Sequence, residues 1–256
     1  MRKKILAYII AVLTITTCMI QLIPRQNNIF KIASQGEGES GFLTNNNLNQ
    51  KKVYLTFDDG PSDHTDEILD ILKKNKVRAT FFVVGKETEH AKKMYRRIIL
   101  EGHTLGMHSY SHNYDQIYAS VGAFSKDLMK LQKYLYDLTE VKSYIYRFPG
   151  GSSNHCAGDI KPYIRYVNQK GILYFDWNAL NEDAINFNAS SYELNQKILK
   201  DVRRQKTSIV LMHDLHETKN TVKGLDWLIK TLKKEGYQIL PITKNTKPIH
   251  HVSIDK

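Results

Sequence analysis

Lys51-Lys-Val-Tyr-Leu-Thr-Phe-Asp-Asp-Gly-Pro61 opens the folded part of this 256-residue chain. Within it, Val53–Phe57 is a short strand-like apolar run that stops at two adjacent carboxylates and a Gly-Pro turn signal. Runs of the same kind return at Thr80–Val84, Thr104–His108, Tyr144–Phe148, Ile172–Trp177, Ile209–His213 and Gln238–Ile242. Between them the apolar spacing changes to three and four, the period of a helix with one buried face. Ile68, Leu69, Ile71 and Leu72 mark one such helix, Ala91, Met94, Tyr95 and Ile98 a second, and Phe124, Leu128, Leu131 and Leu135 a third. Ser190-Ser-Tyr-Glu193 reads as a capping box opening another, continued by Leu194, Ile198 and Val202. A last helix runs from about Val222 to Lys234 and is stopped by Gly236.

Alternating strands and helices predict an α/β fold with a parallel sheet and helices outside it. Seven strands in about 195 residues predict a distorted (β/α)7 barrel, one unit short of the eight-fold type. Barrels of this kind place their chemistry at the carboxyl ends of the strands. Asp58-Asp59, His108, Arg147, Asp176 and His213 each fall at or just after such an end.

The composition, 41% hydrophobic and 25% charged, is that of a globular protein and excludes a disordered or fibrous chain. A net charge of +11 suits an anionic partner, such as an acidic cell wall or phospholipid head groups, or a solvated basic face with no specific partner. No basic stretch carries the interleaved aromatics of a nucleic-acid binder, so no nucleic-acid partner is expected. Cys18 and Cys156 lie far apart, one in the N-terminal apolar run, which argues against a disulfide scaffold. That run, Ile5 to about Ile23, follows Arg2-Lys3-Lys4 and meets no charge before Arg25. Its length is close to the roughly 20 residues that span a bilayer, so residues 1–25 read as an uncleaved signal anchor, with a cleaved signal peptide as the competing reading. Residues 26–50, with Gln35-Gly-Glu-Gly-Glu-Ser-Gly41 and Asn45-Asn-Asn47, form a polar linker. The domain then covers 51–246 and a C-terminal tail 247–256, outside the membrane, as a monomer.

Two adjacent carboxylates repel, and a cation is the natural way to hold Asp58 beside Asp59; the alternative is a helix-capping Asp next to a solvated one. His108 and His112, four apart, would share one face of a helical turn as metal ligands, unless they are merely structural. Ser109 stands where a zincin protease would need Glu. One Asp with two His makes a facial triad with open positions. In Arg147-Phe-Pro-Gly-Gly151 the guanidinium suits a carboxylate, and the glycine turn offers a free backbone N–H. Asp176-Trp177 and Leu211-Met-His213 say little separately.

Taken together these motifs resemble the polysaccharide deacetylase family, also called the NodB-homology domain, one of the carbohydrate esterase families. The resemblance covers about Lys51 to Lys244, and its most specific parts are Thr56-Phe-Asp-Asp-Gly-Pro61 and His108-Ser-Tyr-Ser-His112. It implies that Asp59, His108 and His112 bind a divalent metal, usually Zn2+, with Co2+ or another divalent ion accepted by some relatives. It implies that Asp58 is the general base, held by Arg147, and that the Gly150 N–H helps stabilise the oxyanion. His213 would be the general acid, oriented by Asp176, while Trp177 and Leu211 would wall the pocket for the acetyl methyl. The chemistry agrees: amide hydrolysis needs an activated water, charge stabilisation on the oxyanion, and an acid for a poor leaving group.

The chain departs from the family pattern twice. Many relatives carry a large aromatic where Gly150 stands, which implies a more open cleft wall, and Asp176-Trp177-Asn178 is a variant fourth motif. The Arg-Phe-Pro-Gly-Gly-Ser-Ser-Asn form resembles Gram-positive peptidoglycan N-acetylglucosamine deacetylases. The expected activity is therefore N-deacetylation of a cell-wall polysaccharide. Chitin-like oligosaccharide, an exopolysaccharide or O-acetylated xylan are alternative substrates, and a catalytically silent glycan-binding domain is the alternative from another class.

Overall fold

A computed structural model describes residues 51–254, so the expected anchor or signal peptide and the linker lie outside the described residues. Strand β1 is Lys52–Asp58, and β2, β3 and β4 are Thr80–Val84, Thr104–Ser109 and Ile145–Tyr146. The sheet continues with β5 (Leu173–Tyr174), β6 (Ala179–Leu180), β7 (Thr207–His213) and β8 (Gln238–Ile239). Helices α1 (Thr65–Lys74), α2 (Glu89–Leu100), α3 (Tyr114–Ile117), α4 (Val121–Thr139), α5 (Lys161–Gln169), α6 (Ser191–Val202) and α7 (Lys219–Lys234) run between them. Among the described residues no helix is long and apolar enough to cross a membrane.

The strands pair in the order β5-β4-β3-β2-β1-β7-β6, every pair parallel, with β8 attached to β1. The sheet curls into a barrel as expected, but β5 and β6 end the hydrogen-bonded path, so it is a half-barrel rather than a closed one. The strand expected over Ile172–Trp177 is a two-residue ladder at Leu173–Tyr174, and the chain rejoins the sheet beside β7 as β6. The strand expected over Gln238–Ile242 pairs only with Lys52 and Val53 before leaving the sheet. Ile242 then crosses to the amino ends of β2 and β3, donating its N–H to Thr80 Oγ1 (2.8 Å) and accepting from Thr104 Oγ1 (2.7 Å). Helix α5 was not legible from spacing: it is short, carries Pro162 in its first turn, and buries only Tyr163, Ile164 and Val167.

Alternation along β1 separates two cores. Val53, Leu55 and Phe57 point outward into the apolar layer shared with the helices. Tyr54 points inward, where it meets Phe82, Ile145, Phe175, Ile209 and Ile242 as the floor of the barrel. The expected helical faces are the buried ones: Phe124, Leu128, Leu131 and Leu135 of α4 are all within the core. The capping box at α6 is formed, with the Ser190 hydroxyl accepting from the Glu193 N–H and the Glu193 carboxylate receiving the Ser190 N–H. Because all strands are parallel, their carboxyl ends, and the residues that follow them, open on one mouth.

Candidate active site at the barrel mouth

Asp58 ends β1 pointing inward and is buried. Its neighbour Asp59 would face the other way in a regular strand, but its φ of 71° turns the chain so that both carboxylates serve the same mouth. Gly60 follows because nothing larger fits: a Cβ there would stand 2.3 Å from Asp214 Oδ2. Asp214 is itself buried, accepts from Ser62 Oγ (2.5 Å) and Thr65 Oγ1 (2.6 Å), and donates its N–H to the Asp58 carbonyl (2.8 Å). It thereby ties the loop after β1 to the loop after β7.

His108 lies in β3, where one extra residue interrupts the register: Val83 pairs with Met107 and Val84 with Ser109. This bulge bends the strand into the turn that carries His112, whose φ is 50° and whose N–H donates to Ser109 Oγ (2.7 Å). The two imidazoles therefore do not share a helical turn, as their spacing suggested; a bulge and a left-handed turn bring them together, with ring centroids 5.3 Å apart. The His108 Nδ1–H donates to the Arg147 carbonyl (2.8 Å), which leaves Nε2 facing Asp59.

Asp59 Oδ1 lies 3.0 Å from His112 Nε2 and 3.4 Å from His108 Nε2. Burial by itself would raise the Asp59 carboxyl, but His112 and His108 hold it well below the usual carboxylate range. Although these contacts are short, Asp59 Oδ1 is a buried oxygen that no donor meets with hydrogen-bond geometry. The three donor atoms instead converge on a common point, so the residues fit a divalent cation. A second such group, Asp63, His64 and His216, lies largely at the surface, where His216 is already bonded to Asp63 (2.7 Å).

Arg147, directly after β4, is fully buried beneath the site, its guanidinium 4.2 Å over the Phe82 ring. It donates to Asp58 Oδ1 (2.8 Å), Thr56 Oγ1 (2.7 Å) and the carbonyls of Phe175 (3.0 Å) and Asp176 (3.2 Å). One oxygen of Asp58 is thus fixed, and the other faces the histidines, 4.0 Å from His108 Nε2. A cavity of about 370 Å³ opens above, lined by Asp58, Asp59, His108, His112 and His213. Gly150, Trp177 and Leu211 line it as well, with Ile185 at the rim.

The structure corrects the sequence reading at Asp176. Its carboxylate does not reach His213; it accepts from the Ser152 N–H (2.8 Å), Ser152 Oγ (2.5 Å) and the His251 N–H (2.7 Å). These bonds clamp the turn after Gly150-Gly151 and draw the C-terminal segment, read as a tail, against the domain. The carboxylate on His213 belongs to Asp183, which accepts from Nδ1 (2.7 Å) and from the His213 N–H (3.0 Å), and also from Thr221 Oγ1 (2.8 Å). Burial tends to lower His213, yet Asp183, with Asp58 and Asp59 farther off, pushes it up to about 9. Asp183 escaped the sequence reading because β6, whose carboxyl end it follows, is only two residues long and leaves no period to detect.

The wall at Gly150 is also not open. Gly150 has φ 75°, and a Cβ on it would lie 3.2 Å from a ring carbon of Tyr114. Tyr114 occupies the side of the cavity that the resemblance left vacant.

A half-barrel whose mouth joins a carboxylate held by arginine, a cation-ready cluster and a carboxylate-bound imidazole has the groups that hydrolysis needs, a base, a place for a Lewis acid and an acid. The family model described as polysaccharide deacetylase matches residues 45–166. The catalytic domain of a peptidoglycan N-acetylglucosamine deacetylase from Eubacterium rectale superposes with a TM-score of 0.75 at 36% identity, over 80% of this chain and 94% of that one. YheN of Bacillus subtilis, named provisionally as a polysaccharide deacetylase, is 33% identical over 210 residues, 81% of this chain and 72% of that protein. A Bacillus cereus peptidoglycan-N-acetylglucosamine deacetylase is 27% identical over 230 residues, 87% of this chain and 82% of its own length. The chain belongs to the polysaccharide deacetylase family, and it is a hydrolase that deacetylates polysaccharide.

Proposed function

We propose that this protein removes N-acetyl groups from N-acetylglucosamine of peptidoglycan in a metal-dependent reaction, with Zn2+ as the ion. The observation that carries the reading is the gathering of the Asp59, His108 and His112 donor atoms within 4.8 Å of one another, in a cavity that Asp58 and His213 also line. A divalent cation held there supplies Lewis acidity, lowering the pKa of the attacking water and polarising the acetyl carbonyl. Asp58, with one oxygen fixed by Arg147, takes the proton of that water through its free oxygen. The Gly150 N–H, which meets no acceptor among the described residues, donates to the oxygen that gains negative charge. His213, held by Asp183, gives its proton to the sugar nitrogen as the C–N bond breaks. Trp177 and Leu211 line the cavity where the acetyl methyl would sit.

Peptidoglycan is favoured over other acetylated glycans by the net charge of +11, which suits an anionic wall, and by the relatives named for that substrate. The run from Ile5 to Ile23 then anchors the enzyme on the outer face of the membrane, within reach of the wall. Acetate release from purified peptidoglycan and from chitooligosaccharides, with and without chelator, tests the reading. Release from peptidoglycan that stops with chelator and returns with Zn2+ is expected; release that chelator leaves untouched would refute it. Membrane fractionation tests the anchor, and a soluble mature form starting after about residue 25 would exclude it.

A further inference from the structure

We propose that the Tyr114 hydroxyl is a substrate-binding donor of the acyl pocket, acting with the Gly150 N–H on the acetyl oxygen. This rests on the deacetylase reading of the site and adds a residue to it. Tyr114 opens the short helix α3, two residues past His112, and its ring meets the His112 imidazole edge-on at 5.6 Å. An aromatic ladder holds that ring in place: Tyr114 packs on Tyr118 at 6.0 Å, and Tyr118 on Tyr163 at 5.6 Å. The same ladder holds the turn opposite, since Tyr118 donates its hydroxyl to the Pro149 carbonyl (2.8 Å). Tyr114 and the Gly150 backbone are therefore positioned by one unit.

Tyr114 differs from four tyrosines around it in what its hydroxyl does. Tyr95, Tyr118, Tyr134 and Tyr163 each donate to a backbone carbonyl, at 2.5, 2.8, 2.7 and 2.8 Å respectively. The half-buried Tyr114, in the cavity wall, meets no acceptor among the described residues. A Cβ on Gly150 would come within 3.3 Å of the Tyr114 hydroxyl oxygen, so the phenol sits directly against this backbone. Two donors without a protein acceptor thus lie side by side on the cavity. A ring serving only as a wall would need no hydroxyl; one that spends its hydrogen on no protein group and opens on the cavity beside the Gly150 backbone is free to donate to an acceptor that arrives with the ligand. Glycine at 150 and tyrosine at 114 are linked choices, because a side chain at 150 would take the space of the ring.

Tyr114→Phe removes one oxygen and keeps the ring, so it separates the donor from the wall. On the metal-loaded full chain, the variant is expected to lose about 10²-fold in kcat with KM within about twofold, as for a donor that acts on the transition state. Its melting temperature should be unchanged. Acetate, which presents a carboxylate oxygen to the same pocket, should bind about tenfold more weakly to the variant in a direct titration. A variant that turns over and binds acetate like the wild type would overturn the proposal. Turnover by neither protein would instead sink the deacetylase reading, and the acetate titration would still decide the role of Tyr114. In Tyr114→Ala, where the wall is lost too, KM should also rise.

Discussion

Replacing Asp183 by Asn removes the carboxylate from His213 while keeping the shape of the side chain. In the structure this group accepts from both Nδ1 and the backbone N–H of His213, and it is the foremost reason that the imidazole rises from 6.5 to about 9 against the effect of burial. Without the anion, burial is opposed only by the more distant Asp58 and Asp59, and the value falls back toward the ordinary 6.5. At pH 7.5 a general acid with a pKa of about 9 is roughly 97% protonated, and one of about 6.5 is roughly 9% protonated, a loss of about tenfold in competent enzyme. The alkaline limb of kcat/KM should accordingly move from about pH 9 to about pH 6.5 in Asp183→Asn. Any field from a bound cation acts on both proteins, so the two are compared at the same metal loading. Stability gives a second readout. Since the folded value lies above the ordinary one, the contribution of protonated His213 is complete below pH 6.5 and is lost as pH rises through about 9. That slope should shrink markedly in the variant. Asp176→Asn is the control: it should leave the alkaline limb in place, because its carboxylate binds Ser152 and His251 instead. An unmoved limb in Asp183→Asn, or a limb moved by Asp176→Asn, would refute the assignment.

Asp58→Asn should lower kcat by roughly 10²- to 10⁴-fold, the range for loss of a general base, while metal analysis shows the ion content unchanged. Arg147→Met leaves Asp58 buried without its cation and should cost about 3–5 kcal/mol, seen as a drop in melting temperature on the order of 10 °C, together with loss of activity. Gly60→Ala forces a methyl against Asp214, so about 1–3 kcal/mol of stability and a large part of the activity should go, read by thermal melting and acetate release.

Much of this protein is determined by its sequence because the signals concerned are local. The inward and outward faces of β1 follow from alternation, and the buried face of α4 follows from spacing at three and four. The Asp-Asp and His-His motifs were legible because each falls in a short stretch of chain at the carboxyl end of a long strand. Tertiary structure decided what depends on distant segments meeting. Asp176 and Asp183 are both carboxylates near the end of a strand, and only the curl of the sheet says which of them reaches His213. The two residues of β6 join the sheet through hydrogen bonds to β7, not through any pattern of their own, so Asp183 at their end stayed hidden. At Gly150 the sequence implied a gap, and the chain fills it from Tyr114, 36 positions earlier in the numbering. A side chain missing at one position can be supplied by another element whenever the fold brings the two within van der Waals reach, and no periodicity records that.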